Sequence, residues 1–254
     1  MVIWNWCFEF IWDLEFGIWI FVWARKEVAK IKKPSEAGEK RIGLFGGTFN
    51  PIHFGHLRGA EEIRESFGLR EVLFIPAAIP PHKVTVSVLE ARHRLEMVKR
   101  ATSSNPYFST TDIELKRHGK SYSIDTIRYL LERYSKGLYF ILGRDAFVEI
   151  ETWKEFQQLF SLCNFIVMIR PGSQTTPFND QLQKTLMSAF RYDPEIKAWI
   201  HASGHTLYFK EISYLDISST KVRELIEKGG SARYLIPAEV EAYIDQYKLY
   251  GKNG

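Results

Sequence analysis

The segment that constrains this chain most is a strand–glycine–helix unit beginning at residue 41. An apolar run, Arg41-Ile42-Gly43-Leu44-Phe45, ends on Gly46-Gly47-Thr48-Phe49 and passes through His53-Phe54-Gly55-His56 into helical periodicity from Leu57 to Phe67. Adjacent glycines let the backbone approach an anion closely, and a helix start offers unpaired N–H groups at the positive end of its dipole. His53 and His56, three residues apart, fall near one face of that turn and point toward the same anion. About 170 residues later, Ile217-Ser218-Ser219-Thr220-Lys221-Val222-Arg223 puts two hydroxyls, an ammonium and a guanidinium at the start of another helix. That set suits a triphosphate and does not suit a protein core.

The rest of the chain repeats the same alternation. Val72 to Ala77, Tyr107 to Leu115, Leu138 to Leu142 and Phe165 to Ile169 read as strands, while Leu89 to Ala101 and Ser123 to Tyr134 carry helical spacing. Strands alternating with helices predict an α/β fold: a Rossmann-like, doubly wound parallel sheet that binds ligands at the carboxyl ends of its strands. The glycine pair, the Gly143-Arg144-Asp145 turn and the Arg170-Pro171-Gly172 turn each follow a predicted strand, so they would line one sheet edge.

Residues 1–40 differ in composition from the remainder. Residues 1–24 hold five of the seven tryptophans, and a polar stretch from Arg25 to Lys40 reads as a linker. We therefore divide the chain into an aromatic extension with linker, 1–40, which need not belong to the catalytic fold, and a nucleotide-binding domain, 41–254. A membrane helix needs about 20 largely uncharged apolar residues, and Glu9, Asp13 and Glu15 interrupt this one. The leader suits a membrane interface or a partner surface, or else the true start lies downstream. Residues 1–40 carry six basic and six acidic residues, so the net charge of +4 belongs to 41–254. That charge fits anionic metabolites and is too weak for a nucleic-acid partner. Two cysteines give no disulfide framework, which points to the cytoplasm.

These motifs resemble the paired signatures of the nucleotidylyltransferase superfamily. Pro80-Pro81-His82-Lys83, Ser121-Tyr122-Ser123-Ile124-Asp125-Thr126, Gly143-Arg144-Asp145 with Trp153, Arg170-Pro171-Gly172 and the tail from Tyr234-Leu235-Ile236-Pro237 to Leu249-Tyr250 resemble, in order and spacing, the bacterial nicotinate-nucleotide adenylyltransferase family. The resemblance implies adenylyl transfer from ATP to nicotinate mononucleotide, with Mg²⁺ accompanying ATP and homo-oligomers a possibility. Pantetheine-phosphate adenylyltransferase and a nicotinamide-mononucleotide-preferring enzyme are the competing activities; a non-catalytic nucleotide sensor is disfavoured by the intact phosphate set.

On this resemblance His53, His56 and Arg223 are the catalytic candidates. Gly46, Gly47, Thr48, Phe49, Gly143, Asp145, Ser218, Ser219 and Thr220 complete the ATP set, Asp145 through ribose hydroxyls. Lys83, Ser123, Trp153 and Arg170 are the substrate candidates: Trp153 would stack on the pyridine ring, and Ser123 would offer its N–H to the nicotinate carboxylate. Duller alternatives stand beside them. Asp145 could cap a short helix, Trp153 could be core, and Lys83 could be solvated. Arg170 could flank the adenine or simply end a strand, and Lys221 reads as a surface lysine. Family members usually have threonine where this chain has Ser123, and an aromatic residue where it has Lys154. Arg92, His93, Arg94, Lys99 and Arg100, interspersed with Glu90 and Glu96, read as a solvated helix face.

Overall fold

The computed structural model describes residues 7–13, 18–24, 41–81, 88–134, 137–172 and 188–251. The chain divides into two compact units, Met1–Glu36 and Ala37–Gly254. In the first, β1 (Cys7–Asp13) and β2 (Ile18–Ala24) pair antiparallel, with Cys7 opposite Ala24 and Asp13 opposite Ile18. Among the described residues no helix is long and apolar enough to cross a membrane. The polar stretch 25–40 and Lys83 lie outside the described residues.

The second unit is built on one sheet. Its strands are β3 (Ile42–Gly47), β4 (Glu71–Pro76), β5 (Phe108–Thr110), β6 (Leu138–Gly143), β7 (Asn164–Ile169), β8 (Phe190–Asp193), β9 (Ala198–His201) and β10 (Thr206–Glu211). They lie in the order β5-β4-β3-β6-β7-β10-β9-β8. The first six in that order are parallel neighbours, and β9 and β8 run antiparallel at the edge.

Period-two alternation explains why both faces are covered. Leu44, Leu73, Ile75, Phe140, Leu142, Phe165 and Val167 enter one buried cluster, joined by residues of α4 (Ser123–Tyr134), α5 (Arg144–Val148) and α6 (Phe156–Leu162). Their sequence neighbours Phe45, Val72, Phe74, Ile141 and Ile166 enter the other. That second cluster is shared with α1 (Phe54–Phe67), α2 (Ala91–Thr102), α7 (Ser219–Glu227) and α8 (Ala238–Tyr247). The doubly wound α/β fold expected from the sequence is therefore present.

Three sequence expectations need correction. The strand read over Tyr107 to Leu115 is only three residues long, because the chain turns into α3 (Ile113–Lys116). The Thr111 hydroxyl accepts the Ile113 N–H, and Lys116 pairs with Asp112 at 3.0 Å; such side chains offer the backbone a local alternative to the ladder. The antiparallel edge, β8 and β9, is an addition to the expected parallel sheet. The basic run on α2 is not wholly solvated: Arg94 is fully buried, on one helical face with Met97, Val98 and Ala101.

Candidate active site

β3, β6 and β7 are adjacent and parallel, so the turns that follow them share one edge of the sheet. A cleft of about 290 Å³ opens there. Gly46, Gly47 and Thr48 line one part of it, and Ser123, Gly143 and Trp153 another, so these six candidates share one depression.

The phosphate-type segment is arranged around Phe49. Its ring is buried and lies edge-on to Phe45 (centroids 5.7 Å apart) and to His56 (5.2 Å). A Cβ at Gly47 would come within 2.9 Å of that ring, so glycine lets the loop fold down onto its own aromatic anchor. Phe49 thus serves the loop from beneath, and only its backbone can reach a ligand.

His53 is the N-cap of α1 and His56 is in its first turn. The rings stack with centroids 3.6 Å apart. The His53 N–H donates to His56 Nδ1 at 3.2 Å, so a neutral His56 carries its proton on Nε2, as a donor. His53 is 6% exposed, and its Nδ1 is buried without a hydrogen-bond partner. Burial holds its pKa down to about 4. The unfolded chain, with an ordinary imidazole, takes up a proton near pH 6.5 that the folded chain refuses until about pH 4, so this group costs stability as pH falls through that window. At pH 7 the His53 ring is therefore neutral.

Gly55 lies between the two histidines. A Cβ there would sit 3.0 Å from His53 Nδ1 and 3.7 Å from the Ile217 carbonyl oxygen. Gly55→Ala is therefore expected to displace the His53 ring and raise the KM for the anionic substrate severalfold, with the thermal midpoint near the parent's. An unchanged KM in initial-rate kinetics would contradict the importance of that ring position.

The distant hydroxyl segment closes onto this loop. Ser218 caps α7, its Oγ accepting the Lys221 N–H. The Ser219 hydroxyl donates to the Pro51 carbonyl at 2.8 Å, and Arg223 Nη1 donates to the Asn50 carbonyl at 2.8 Å. Arg223 Nη2 lies 3.4 Å from Thr220 Oγ1. The starts of α1 and α7 are thereby fastened together across more than 160 residues of sequence. In the first turn of α1 the Phe54 N–H is taken by the Leu235 carbonyl and the His56 N–H by the His53 carbonyl, and in the first turn of α7 the Lys221 N–H is taken by Ser218 Oγ.

The remaining candidates are more scattered. Asp145 is exposed in the first turn of α5, whose N-cap is Gly143, so the capping alternative for Asp145 does not hold. Trp153 is partly buried, edge-on to Phe140 at 6.1 Å, so it both packs and faces the cleft. Arg170 is exposed at the end of β7, its guanidinium 4.4 Å above the Tyr214 ring. Lys221 pairs with Asp216 at 2.7 Å. Lys154 lines the cleft and pairs with Asp125 at 3.1 Å. Among the described residues no group of three or more His, Cys, Asp or Glu could cage a metal ion.

Several supporting residues have no role in the sequence reading. Asn50 holds the loop from its side chain, accepting the Tyr250 hydroxyl at 2.7 Å. Glu114 is buried at the cleft wall, bonded to Thr126 Oγ1 at 2.6 Å, and burial raises its carboxyl pKa. The Ser121 hydroxyl accepts the Ala78 and Ile79 N–H groups. Arg94 alone had a legible signal, since it sits three and four residues before Met97 and Val98 on the buried stripe of α2.

The sequence profile of the cytidylyltransferase-like family matches residues 44–225. A protein of Citrifermentans bemidjiense named "Probable nicotinate-nucleotide adenylyltransferase" is 48% identical over 211 residues, spanning 83% of this chain and 98% of the relative. One of the same name from Geobacter sulfurreducens is 43% identical over 215 residues, spanning 84% of this chain and all of the relative. Among solved structures, Plasmodium falciparum nicotinic acid mononucleotide adenylyltransferase complexed with NaAD superposes with a TM-score of 0.62 at 20% identity, covering 84% of this chain and 98% of that one. At that identity the likeness supports the fold.

Proposed function

The chain belongs to the cytidylyltransferase-like family and, within it, to the nicotinate-nucleotide adenylyltransferases, and from that premise we propose how its residues transfer the adenylyl group of ATP to nicotinate mononucleotide. A phosphate oxygen of the mononucleotide bonds to the α-phosphorus of ATP, the bond from that phosphorus to the bridging β-phosphate oxygen breaks, and pyrophosphate leaves. The dinucleotide formed is nicotinate adenine dinucleotide, an intermediate of NAD biosynthesis. The nucleophile is already anionic at neutral pH, so no general base is required. Positioning and electrostatics supply the rate.

The observation that carries this reading is the fastening of Ser219 and Arg223 to Pro51 and Asn50, beside the stacked His53–His56 pair. His56 Nε2–H and the imidazole of His53 donate to the α- and β-phosphates. Thr220 Oγ1, the backbone N–H groups of Ser219 and Thr220 at the start of α7, and Arg223 hold the β- and γ-phosphates. Mg²⁺ enters with ATP as part of the substrate, with phosphate oxygens and water as its natural ligands. Asp145 accepts from ribose hydroxyls, and Arg170, held over Tyr214, flanks the adenine. Ser123 presents its N–H to the nicotinate carboxylate, and Lys83 reaches a phosphate. The reaction belongs in the cytoplasm, with ATP and the mononucleotide as partners.

The test is pyrophosphate release by purified protein given MgATP and, in parallel, nicotinate mononucleotide, nicotinamide mononucleotide or phosphopantetheine. The acid mononucleotide is expected to be the best substrate; release with phosphopantetheine alone would overturn the reading. Trp153→Ala should raise the KM for nicotinate mononucleotide roughly 10- to 100-fold, the worth of one aromatic stack on a base, and leave the KM for ATP close to normal. Equal loss for both substrates would make Trp153 a packing residue only.

Residues 1–40 stand outside the catalytic domain on this reading. Protein beginning at residue 41 should retain full kcat and both KM values, and inactivation by that truncation would assign the leader to the catalytic fold.

A further inference from the structure

We propose that Arg94 is a positioning residue that sets the spacing between the ATP loop and the mononucleotide turn, an inference that rests on the adenylyl-transfer reading above. Arg94 is 0% exposed, and its three hydrogen-bond acceptors are carbonyls from three separate pieces of chain. Nη1 donates to the Thr48 oxygen at 2.8 Å, Nη2 to the Ala78 oxygen at 3.0 Å, and Nε to the Leu89 oxygen at 2.8 Å. Burying a guanidinium is costly unless its N–H groups are bonded, and here three carbonyls accept them while the buried Glu114 carboxyl lies within electrostatic reach. What a guanidinium adds is a rigid planar fork that dictates where its acceptors stand relative to one another.

Those acceptors lead in two directions. Thr48 closes the Gly46-Gly47-Thr48 wall of the cleft. Ala78 and Ile79 continue toward the opposite wall, where their N–H groups donate to Ser121 Oγ at 2.8 and 3.3 Å and the Ser121 N–H returns a bond to the Ile79 carbonyl at 2.9 Å. Ser121 begins the Ser121-Tyr122-Ser123 turn, which lines the cleft and opens α4. A series of hydrogen bonds therefore runs from the ATP loop through Arg94 and the 78–79 segment to the mononucleotide turn, beside the direct bond from the Ala77 N–H to the Gly47 carbonyl. Neither end needs this series to bind its own substrate. The in-line approach of the attacking oxygen to phosphorus needs it, because an error of about 1 Å in such a placement costs on the order of 10² in rate.

The experiment is steady-state kinetics on the full chain, with thermal unfolding in parallel, for Arg94→Lys, Ser121→Ala and the double variant. Lysine keeps the charge and loses the fork. Arg94→Lys is expected to lower kcat roughly 10- to 100-fold, with both KM values within about threefold of the parent's. Ser121→Ala removes the two bonds that its hydroxyl accepts from the Ala78 and Ile79 N–H groups, leaves the backbone bond from the Ser121 N–H to the Ile79 carbonyl, and should show the same split. The double variant should be no more than about threefold worse than the worse single one, since a series cut twice is no more broken than one cut once. Parental kcat in the single variants, losses confined to KM, or a double variant whose loss is the product of the two singles would overturn the inference. If Arg94→Lys does not fold, Ser121→Ala decides by the same split: reduced kcat at parental KM supports the linkage, and any other result removes it. Parent protein that releases no pyrophosphate would defeat the adenylyl-transfer reading itself, whereas an active parent with unaffected variants would defeat only the role of Arg94.

Discussion

His56→Ala should lower kcat by roughly 10²–10³, the scale for removing one preorganised donor from a site of developing negative charge. The His53 N–H bonded to His56 Nδ1 fixes both the tautomer and the direction of the remaining N–H, so this donor needs no reorganisation when charge builds at the phosphate. The ring is partly exposed and sits at a helix start, so the variant should unfold close to the parent's midpoint. Those two measurements separate chemistry from folding. A folded variant that keeps nearly full turnover would remove His56 from the phosphate set and leave the stacked pair as a helix-start ornament of α1.

The largest expected effect on stability is at the centre of the sheet. Phe165 on β7 is fully buried, with its ring 5.5 Å from Phe140 and 4.8 Å from Phe160. Truncation to alanine removes a large apolar group from between a neighbouring strand and α6 and leaves a cavity that the sheet cannot collapse to fill. Phe165→Ala should therefore cost about 3–5 kcal/mol, a fall of roughly 6–20 °C in the midpoint for a domain of this size. A change below about 1 kcal/mol would show that this face of the sheet is loosely packed, against the burial of every member of its cluster.

The site is legible in the sequence where chemistry and backbone geometry coincide. Gly46-Gly47, His53 and His56, and Ser218 to Arg223 fall next to strand ends and helix starts, where a motif and its position predict each other. The doubly wound sheet follows from apolar strand runs such as Leu138 to Leu142, whose alternate residues serve opposite faces. What the sequence does not display is the support behind the site. The bonds from Arg94 to Thr48, from Tyr250 to Asn50 and from Ala78 to Ser121 join residues about 40 to 200 positions apart, and no local pattern announces a partner so distant. Local chemistry also misled at Tyr107 to Leu115, where strand-like residues give way to a turn held by Thr111 and Asp112. The antiparallel edge escaped for a related reason: β8 has two exposed residues, Arg191 and Tyr192, and little apolar signal.

The account depends on one anion being held by segments from opposite ends of the domain. A crystal structure with a non-hydrolysable ATP analogue and Mg²⁺ tests this most directly. The account predicts the triphosphate between the imidazoles of His53 and His56 on one side and Ser219, Thr220 and Arg223 on the other, with the ribose near Asp145. A triphosphate touching only one of the two segments, or seated away from both, would contradict it.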